Sequence, residues 1–467
     1  MLLINRSWNF YSSDEITSIV SIQIPIMKKR FTLILLCFNS ILFAQNNISA
    51  FDSIMNAVDK YQKFMGAVSL CKNGNVIYSR AVGFSSIENK RQADAQTLYH
   101  IGSISKMFTS VIVHQLLEEG KLKNDTKLSA FFPKLPNADK ITIAQLLNHS
   151  SGLFNFTRDS NYLSLCSTYH SNDSLLRMFS RFKPSFQPGE KNDYSNTGYV
   201  LLSMIIEAVS KHRLQDEIEN RISAPLHLKN TSISPAIKDD QRIASSYSRE
   251  SDRWLKEIET DMSIPQGAGA MISTPVELCT FITQLFQGRL LTDSGLKSMT
   301  TMERGYGRGI FQFPYGKRIT FGHTGGIDGF VSMLAYFPDD SVSVAITSNG
   351  IDMNKNDLLL ALLGVYYKKP YFIPGLQKPT LSAASAKSIF GKYHNSQIGM
   401  TITISEKDGK VIAQAEDQDP IVMEKVSDLE YEFKPEAIKI TFKKDSNGEM
   451  RSFILTQGRD INFEKIE

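Results

Sequence analysis

Apolar positions divide the chain into stretches of different period. Val68 and Leu70, then Val76 and Tyr78, alternate with other residues on either side of Asn73-Gly74, which predicts a β-hairpin closed by a type I′ turn. The period then lengthens. Ile104, Met107, Phe108, Val111, Ile112 and Leu116 recur at helical spacing, and Gly120 marks the end of that helix. Residues 198–208 are almost wholly apolar, the pattern of a buried helix. After about Gly305 strand patterns return over 319–321, 331–337 and 341–347, the last two separated by Pro338-Asp339-Asp340. Pro370, Pro374 and Pro379 interrupt residues 369–381, which reads as a linker. Beyond it, short strand patterns at 400–404, 411–415, 431–433, 438–442 and 453–455, with turns at Asp408-Gly409 and Asn447-Gly448, predict a separate antiparallel β domain over 382–467. No internal repeat is visible.

The N-terminal region reads as an export signal. Met27-Lys28-Lys29-Arg30 precedes an apolar stretch over 31–43 that ends at Ala44-Gln45: a basic region, a hydrophobic region and a small residue at the cleavage point. The stretch is short for a membrane span, and Asn39 and Ser40 interrupt it, so no stable transmembrane anchor is expected. Leu36 before Cys37 argues against a lipid anchor there. The expected organisation is therefore a mis-called start over 1–26, a signal peptide over 27–44, a first domain over 45–368, the linker and the β domain. The product would be secreted across the inner membrane into a periplasmic or extracellular space.

Composition narrows the function. The 467 residues carry 52 basic and 48 acidic side chains, a net charge of +4, too balanced for an electrostatic nucleic-acid binder. A hydrophobic content of 42%, with 28 Phe and 17 Tyr, supplies a large core and excludes wholesale disorder. No C-x-x-C or H-E-x-x-H spacing offers a metal site, and no glycine-rich phosphate loop is present, so neither metal nor cofactor is expected. Once residues 1–44 are removed, Cys71, Cys166 and Cys279 remain; none has a neighbouring His, and all three read as small buried hydrophobes.

The pattern S-x-x-K occurs four times, at Ser69/Lys72, Ser103/Lys106, Ser180/Lys183 and Ser294/Lys297. Only Ser103 opens an apolar helix, where exposed backbone N–H groups and the helix dipole favour developing negative charge. Lys106 lies one turn on and reaches the same face; burial would lower its pKa and let it share the serine proton. Tyr194-Ser195-Asn196 follows a Pro188-Gly189 turn. A buried tyrosine near a cationic lysine loses its proton more readily and acts as a base, and the Asn196 amide can orient the lysine and a substrate carbonyl. His323-Thr324-Gly325-Gly326 ends a predicted strand whose glycines allow substrate against its edge. A backbone N–H there could join that of Ser103 in an oxyanion hole. A second Y-x-N, Tyr393-His394-Asn395, lies in the β domain without a partner motif. His149 sits in a loop motif without a catalytic partner in sequence and reads as structural.

Ser103-Ile104-Ser105-Lys106, Tyr194-Ser195-Asn196 and His323-Thr324-Gly325, in that order, resemble the three motifs of the class C β-lactamase-like serine hydrolases. The stretches at 146–153 (LLNHSSGL) and 267–274 (GAGAMIST) match as well, and the resemblance covers roughly residues 50 to 365. It implies an α+β fold, an antiparallel sheet flanked by helices plus an all-helical lobe, followed here by a small lipocalin-like C-terminal β domain. It implies Ser103 as acylated nucleophile, Lys106 as its proton partner and Tyr194 as general base. Asn196, His323, Thr324 and Gly325 would bind substrate, and the N–H groups of Ser103 and Gly326 would form the oxyanion hole. The implied substrates are small molecules or peptides: D-amino-acid peptides, esters or β-lactams, with peptidoglycan a further candidate partner. One departure stands out: class C β-lactamases usually carry Lys at the position of His323. A neutral imidazole holds a carboxylate less strongly, which favours a D-amino-acid peptidase or esterase. A β-lactamase and a catalytically weak penicillin-binding sensor are the alternatives.

Overall fold

The computed structural model describes residues 48–466, apart from 235–239, 251, 374–387 and the short segments 408–409, 417–419, 427–428, 434–437, 446 and 458–459. The expected leader over 1–26, the signal over 27–44 and the linker beyond residue 373 lie outside the described residues. The chain divides into two compact units, which meet in sequence at Pro374 and Gly375.

In the first unit the hairpin forms as the alternation predicts. Strands Phe64–Lys72 and Asn75–Val82 join through Asn73 and Gly74, whose φ angles of +52° and +81° are those of a type I′ turn. The hairpin completes a six-stranded antiparallel sheet in the order Phe311–Tyr315, Arg318–Ile327, Phe330–Phe337, Val342–Ile351, Phe64–Lys72, Asn75–Val82. The early hairpin therefore pairs with a strand from the far end of the unit, with Ser69 opposite Ala345.

Both faces of this sheet are covered, which is why its central strands are apolar almost throughout rather than cleanly alternating. Val68, Leu70, Val344 and Ile346 pack with Phe51, Ile54 and Val58 of the helix over 48–60 and with Leu358 and Leu362 of helix Lys355–Tyr367. Cys71, Leu334 and Ala345 belong to the opposite core, shared with Phe281 and Ile282 of helix Pro275–Phe286. That core runs on into the helical lobe, where helix Ser105–Glu118 is pinned by stacking of Phe108 on Phe281 at 3.8 Å between ring centroids. The apolar run at 198–208 is the middle of helix Asn196–Ser210, buried against the same lobe. Cys71, Cys166 and Cys279 are free and buried, as their sequence context predicts.

The second unit is a closed barrel of eight antiparallel strands. The hydrophobic pattern reveals five of them. It misses Gly391–Asn395 and Asp460–Lys465, which carry few apolar residues among charged and polar ones, and Ile421–Lys425, whose apolar run is only three residues long. Tyr393, Phe442, Phe453 and Phe463 fill the interior with ring-to-ring contacts. The second Y-x-N is structural here: the Tyr393 hydroxyl donates to the Ile389 carbonyl at 2.8 Å, and the Asn395 amide donates to the Asn462 carbonyl at 2.6 Å. Each unit thus owns a separate core. Deleting residues 382–467 is expected to leave a first unit that still melts cooperatively and still hydrolyses a small ester; loss of the melting transition would show that the units depend on one core.

Candidate active site

The site grows from a tight turn ahead of the main lobe helix. A 3₁₀ turn over Gly102–Ile104 leads directly into helix Ser105–Glu118, so Ser103 and Lys106 lie one turn apart. Gly102 has φ +50°, a conformation that disfavours a side chain, and a Cβ there would stand 2.8 Å from the Gly326 nitrogen. Gly325 is equally constrained: its Cβ would meet the Ile101 carbonyl oxygen at 2.0 Å and Ser332 Oγ at 2.2 Å. Ser332 donates to that same Ile101 carbonyl at 2.7 Å. The two glycines thus let strand Arg318–Ile327 press its backbone against the segment carrying Ser103, and Ser332 fastens the contact. Gly326 itself is exposed, and a Cβ there would meet open space.

Lys106 is fully buried. Its Nζ lies 2.9 Å from Ser103 Oγ, 2.8 Å from Asn196 Oδ1 and 2.7 Å from the Ala268 carbonyl oxygen. Burial holds its pKa well below the usual 10.5. In the uncharged form the two N–H bonds point to Asn196 Oδ1 and Ala268 O, since neither oxygen can donate. The lone pair is then left for the Ser103 hydroxyl. Ala268 reaches this position because Gly267, without a side chain, packs against Thr109 and Ser203 of the two flanking helices.

Tyr194 completes the cluster. Its phenol stands beside the Ser103 side chain, which favours its ionised form, and Lys106 Nζ lies 4.9 Å from its ring centroid. The expectation that a cationic lysine would ease its ionisation is corrected here. Burial raises the Tyr194 pKa above its ordinary 10.0, more than the Ser103 hydrogen bond lowers it. The cluster therefore pairs an amine that gives up its proton readily with a phenol that keeps one.

Two further expectations change. Asn196 was expected to orient both the lysine and a substrate carbonyl; its oxygen accepts from Lys106, while its Nδ2 is engaged with Asn155 Oδ1 at 3.3 Å and Thr157 Oγ1 at 3.1 Å rather than left for substrate. It orients the lysine. His323 was expected to line the cleft, yet it is only 2% exposed. Its Nδ1 donates to the Thr324 carbonyl at 2.5 Å, Nε2 is buried with no hydrogen-bond partner, and its ring packs 4.9 Å from Phe311 and 6.2 Å from Tyr194. Burial lowers its pKa to about 3, and a protonated Lys106 would act in the same direction. A pKa lowered this far favours the neutral imidazole from pH 5 to 8. Thr324 is half-buried on the same strand.

The other S-x-x-K pairs are not brought to such a setting. Ser69 is buried within a central strand, Ser180 donates to the Arg177 carbonyl at 2.9 Å, and Ser294 lies in the first turn of helix Asp293–Thr300. Sequence reasoning missed Asn155 and Thr157, which hold Asn196, and the aromatic wall of Tyr306 and Phe311 near Tyr194. No spacing signals these; they come from parts of the chain far apart in sequence, a 3₁₀ turn at 156–158 and the start of strand Phe311–Tyr315 among them.

With this geometry established, comparison with known proteins places the chain. The family model described as Beta-lactamase matches residues 51–364, and the chain belongs to that β-lactamase and transpeptidase-like family. It is a serine hydrolase of the β-lactamase fold. Penicillin-binding protein 4* of Bacillus subtilis (strain 168) is 26% identical over 385 residues, covering 76% of this chain and 84% of that protein. The teichoic acid D-alanine hydrolase of Staphylococcus aureus is 24% identical over 238 residues, 50% of this chain and 58% of its own length. The crystal structure of D-amino acid amidase from Ochrobactrum anthropi SV3 superposes with a TM-score of 0.56 at 26% identity, covering 68% of this chain and 97% of that one.

Two outcomes follow from the geometry. Gly325→Ala drives a methyl group into backbone and is expected to destabilise the first unit by about 1–3 kcal/mol, with loss of hydrolysis; an unchanged melting temperature would mean that the strand does not press on Ile101. The rate profile has a defined sign as well. Hydrolysis should rise with pH as Lys106 deprotonates, starting below that residue's ordinary 10.5, and fall when Tyr194 ionises above its ordinary 10.0. His323→Gln should leave the shape of the profile between pH 5 and 8 unchanged; a rate that declines steadily with rising pH would contradict the assignment.

Proposed function

We propose that this chain is an exported acyl-transfer hydrolase that forms an acyl-enzyme on Ser103 and acts on amides, esters or peptides of D-amino acids. The observation that carries the reading is the Lys106 amine, 2.9 Å from Ser103 Oγ with its other two directions committed to oxygen acceptors. As Ser103 Oγ attacks the carbonyl carbon, Lys106 takes the hydroxyl proton. The Tyr194 phenol, beside the same serine side chain, passes a proton to the leaving amine or alcohol. The N–H groups of Ser103 and Gly326 face the developing oxyanion. Water then attacks the ester carbon as the Lys106 and Tyr194 pair takes its proton, and the pair returns that proton to Ser103 Oγ as the acyl–oxygen bond breaks and the acid leaves.

The substrate class rests on two supports. Relatives whose names carry D-alanine hydrolase and D-amino acid amidase activities share the fold and family. A neutral, buried His323 offers no cation for the carboxylate of a β-lactam, which sets β-lactam hydrolysis behind D-amino-acid chemistry. Export is supported by the basic cluster at Met27-Lys28-Lys29-Arg30 and the apolar stretch after it. Among the described residues no helix is long and apolar enough to cross a membrane.

The test is a panel of D-alanine amide, D-alanyl nitrophenyl ester, a D-Ala-D-Ala peptide and a chromogenic cephalosporin, run with wild type and with Ser103→Ala, Ser69→Ala, Ser180→Ala and Ser294→Ala. Turnover of the D-amino acid derivatives should exceed that of the cephalosporin. Ser103→Ala alone should abolish both turnover and any acyl adduct seen by mass spectrometry. Fast cephalosporin turnover would identify a β-lactamase instead, and an adduct surviving in Ser103→Ala would reject the nucleophile.

A further inference from the structure

The loop motif at 146–153 leaves one residue without an assigned task. His149 is a buried non-glycine residue with φ +62°, a conformation that a bulky side chain adopts only where its surroundings enforce it. Three separate contacts run from it to the segment bearing Tyr194. Its carbonyl accepts the Asp193 N–H at 2.9 Å. Its ring Nδ1 accepts the Ser195 N–H at 3.2 Å; a backbone N–H can only donate, so Nδ1 must be the unprotonated nitrogen. Its ring packs on the Tyr194 ring with centroids 4.5 Å apart. The residue thus grips the chain on both sides of Tyr194 and presses on the tyrosine between.

The rest of the loop reinforces that grip. The Gly152 carbonyl accepts the Ser185 N–H and the Ser150 carbonyl accepts the Gly189 N–H, each at 2.8 Å, while the Asn148 carbonyl accepts the Asn192 amide at 2.7 Å. Gly152 has φ +74°, and a Cβ there would stand 2.1 Å from the Phe186 carbonyl oxygen. The segment leading to Tyr194 has no regular structure over residues 191–195, so its course is set by this loop rather than by a ladder of its own.

We propose that His149 is a positioning residue for Tyr194, fixing the phenol beside Ser103 through the Nδ1 acceptor and the stacked ring. The inference rests on the proposed role of Tyr194 in proton transfer. It does not require His149 to touch substrate or to change protonation state.

The experiment is a double-mutant cycle read with p-nitrophenyl acetate, combined with NMR of protein carrying ¹³Cζ-labelled tyrosine, in which Tyr194→Phe assigns the Tyr194 signal. His149→Phe keeps a ring but removes the acceptor. His149→Asn places Oδ1 near the position of Nδ1, and Asn tolerates the left-handed backbone. His149→Phe should lower kcat by roughly tenfold to a hundredfold, the scale of a misplaced catalytic group, with KM within about threefold. It should also shift or broaden the Tyr194 resonance. His149→Asn should recover most of kcat. In the Tyr194→Phe background His149→Phe should cost less than about threefold more, because the group it positions is gone. Additive losses together with an unmoved Tyr194 resonance would reduce His149 to a merely structural residue and overturn the proposal. Near-normal turnover by Tyr194→Phe itself would instead remove the proposed role of the tyrosine, and the resonance would then decide whether His149 positions it.

Discussion

The first unit is arranged around one buried amine. A lysine side chain with no water around it is costly in its charged form, and the cost is relieved either by an opposing carboxylate or by deprotonation. Around Lys106 the structure gives it three oxygen neighbours, from Ser103, Asn196 and Ala268, each brought by a different segment. Ser103 comes from the start of the lysine's own helix, Asn196 from the first residue of helix Asn196–Ser210, and Ala268 from the short helix Gln266–Gly269. The amine gives up its proton more readily because of where it is, and it is useful for the same reason.

That placement depends on close backbone approach. Strand Arg318–Ile327 reaches the Ser103 segment only because Gly102 and Gly325 have no side chains. Gly267 does the same for the Ala268 carbonyl between the two lobe helices. The wide antiparallel sheet, covered on both faces, is the rigid wall against which these contacts are made. The β barrel has its own core and contributes none of the residues of this cluster.

Much of this was legible in the sequence, and the parts that were not have a common cause. Ser103 and Lys106 could be paired from spacing alone, since one helical turn sets their distance. The hairpin at Asn73-Gly74 and the apolar helix around 198–208 followed from turn chemistry and period. By contrast, the burial of His323, the raised pKa of Tyr194 and the full occupancy of the Asn196 amide arise where loops from distant parts of the chain converge, and local pattern carries no signal of that. His149 is the clearest case: read alone it is a loop histidine, and only the folded chain brings residues 191–195, Tyr199 and Tyr306 against it. The missed barrel strands, rich in charged residues, show the same limit, since closure of the barrel rather than their own hydrophobicity makes them strands.

Lys106 is the base that takes the Ser103 proton, and NMR of protein with isotope-labelled lysine measures its titration without any substrate. With the Lys106 signal assigned by Lys106→Arg, titration should show that lysine losing its proton well below the ordinary lysine value of about 10.4. A Lys106 that titrates at that ordinary value or above it would mean that it remains an ammonium ion beside Ser103, and the proton path described here would fail.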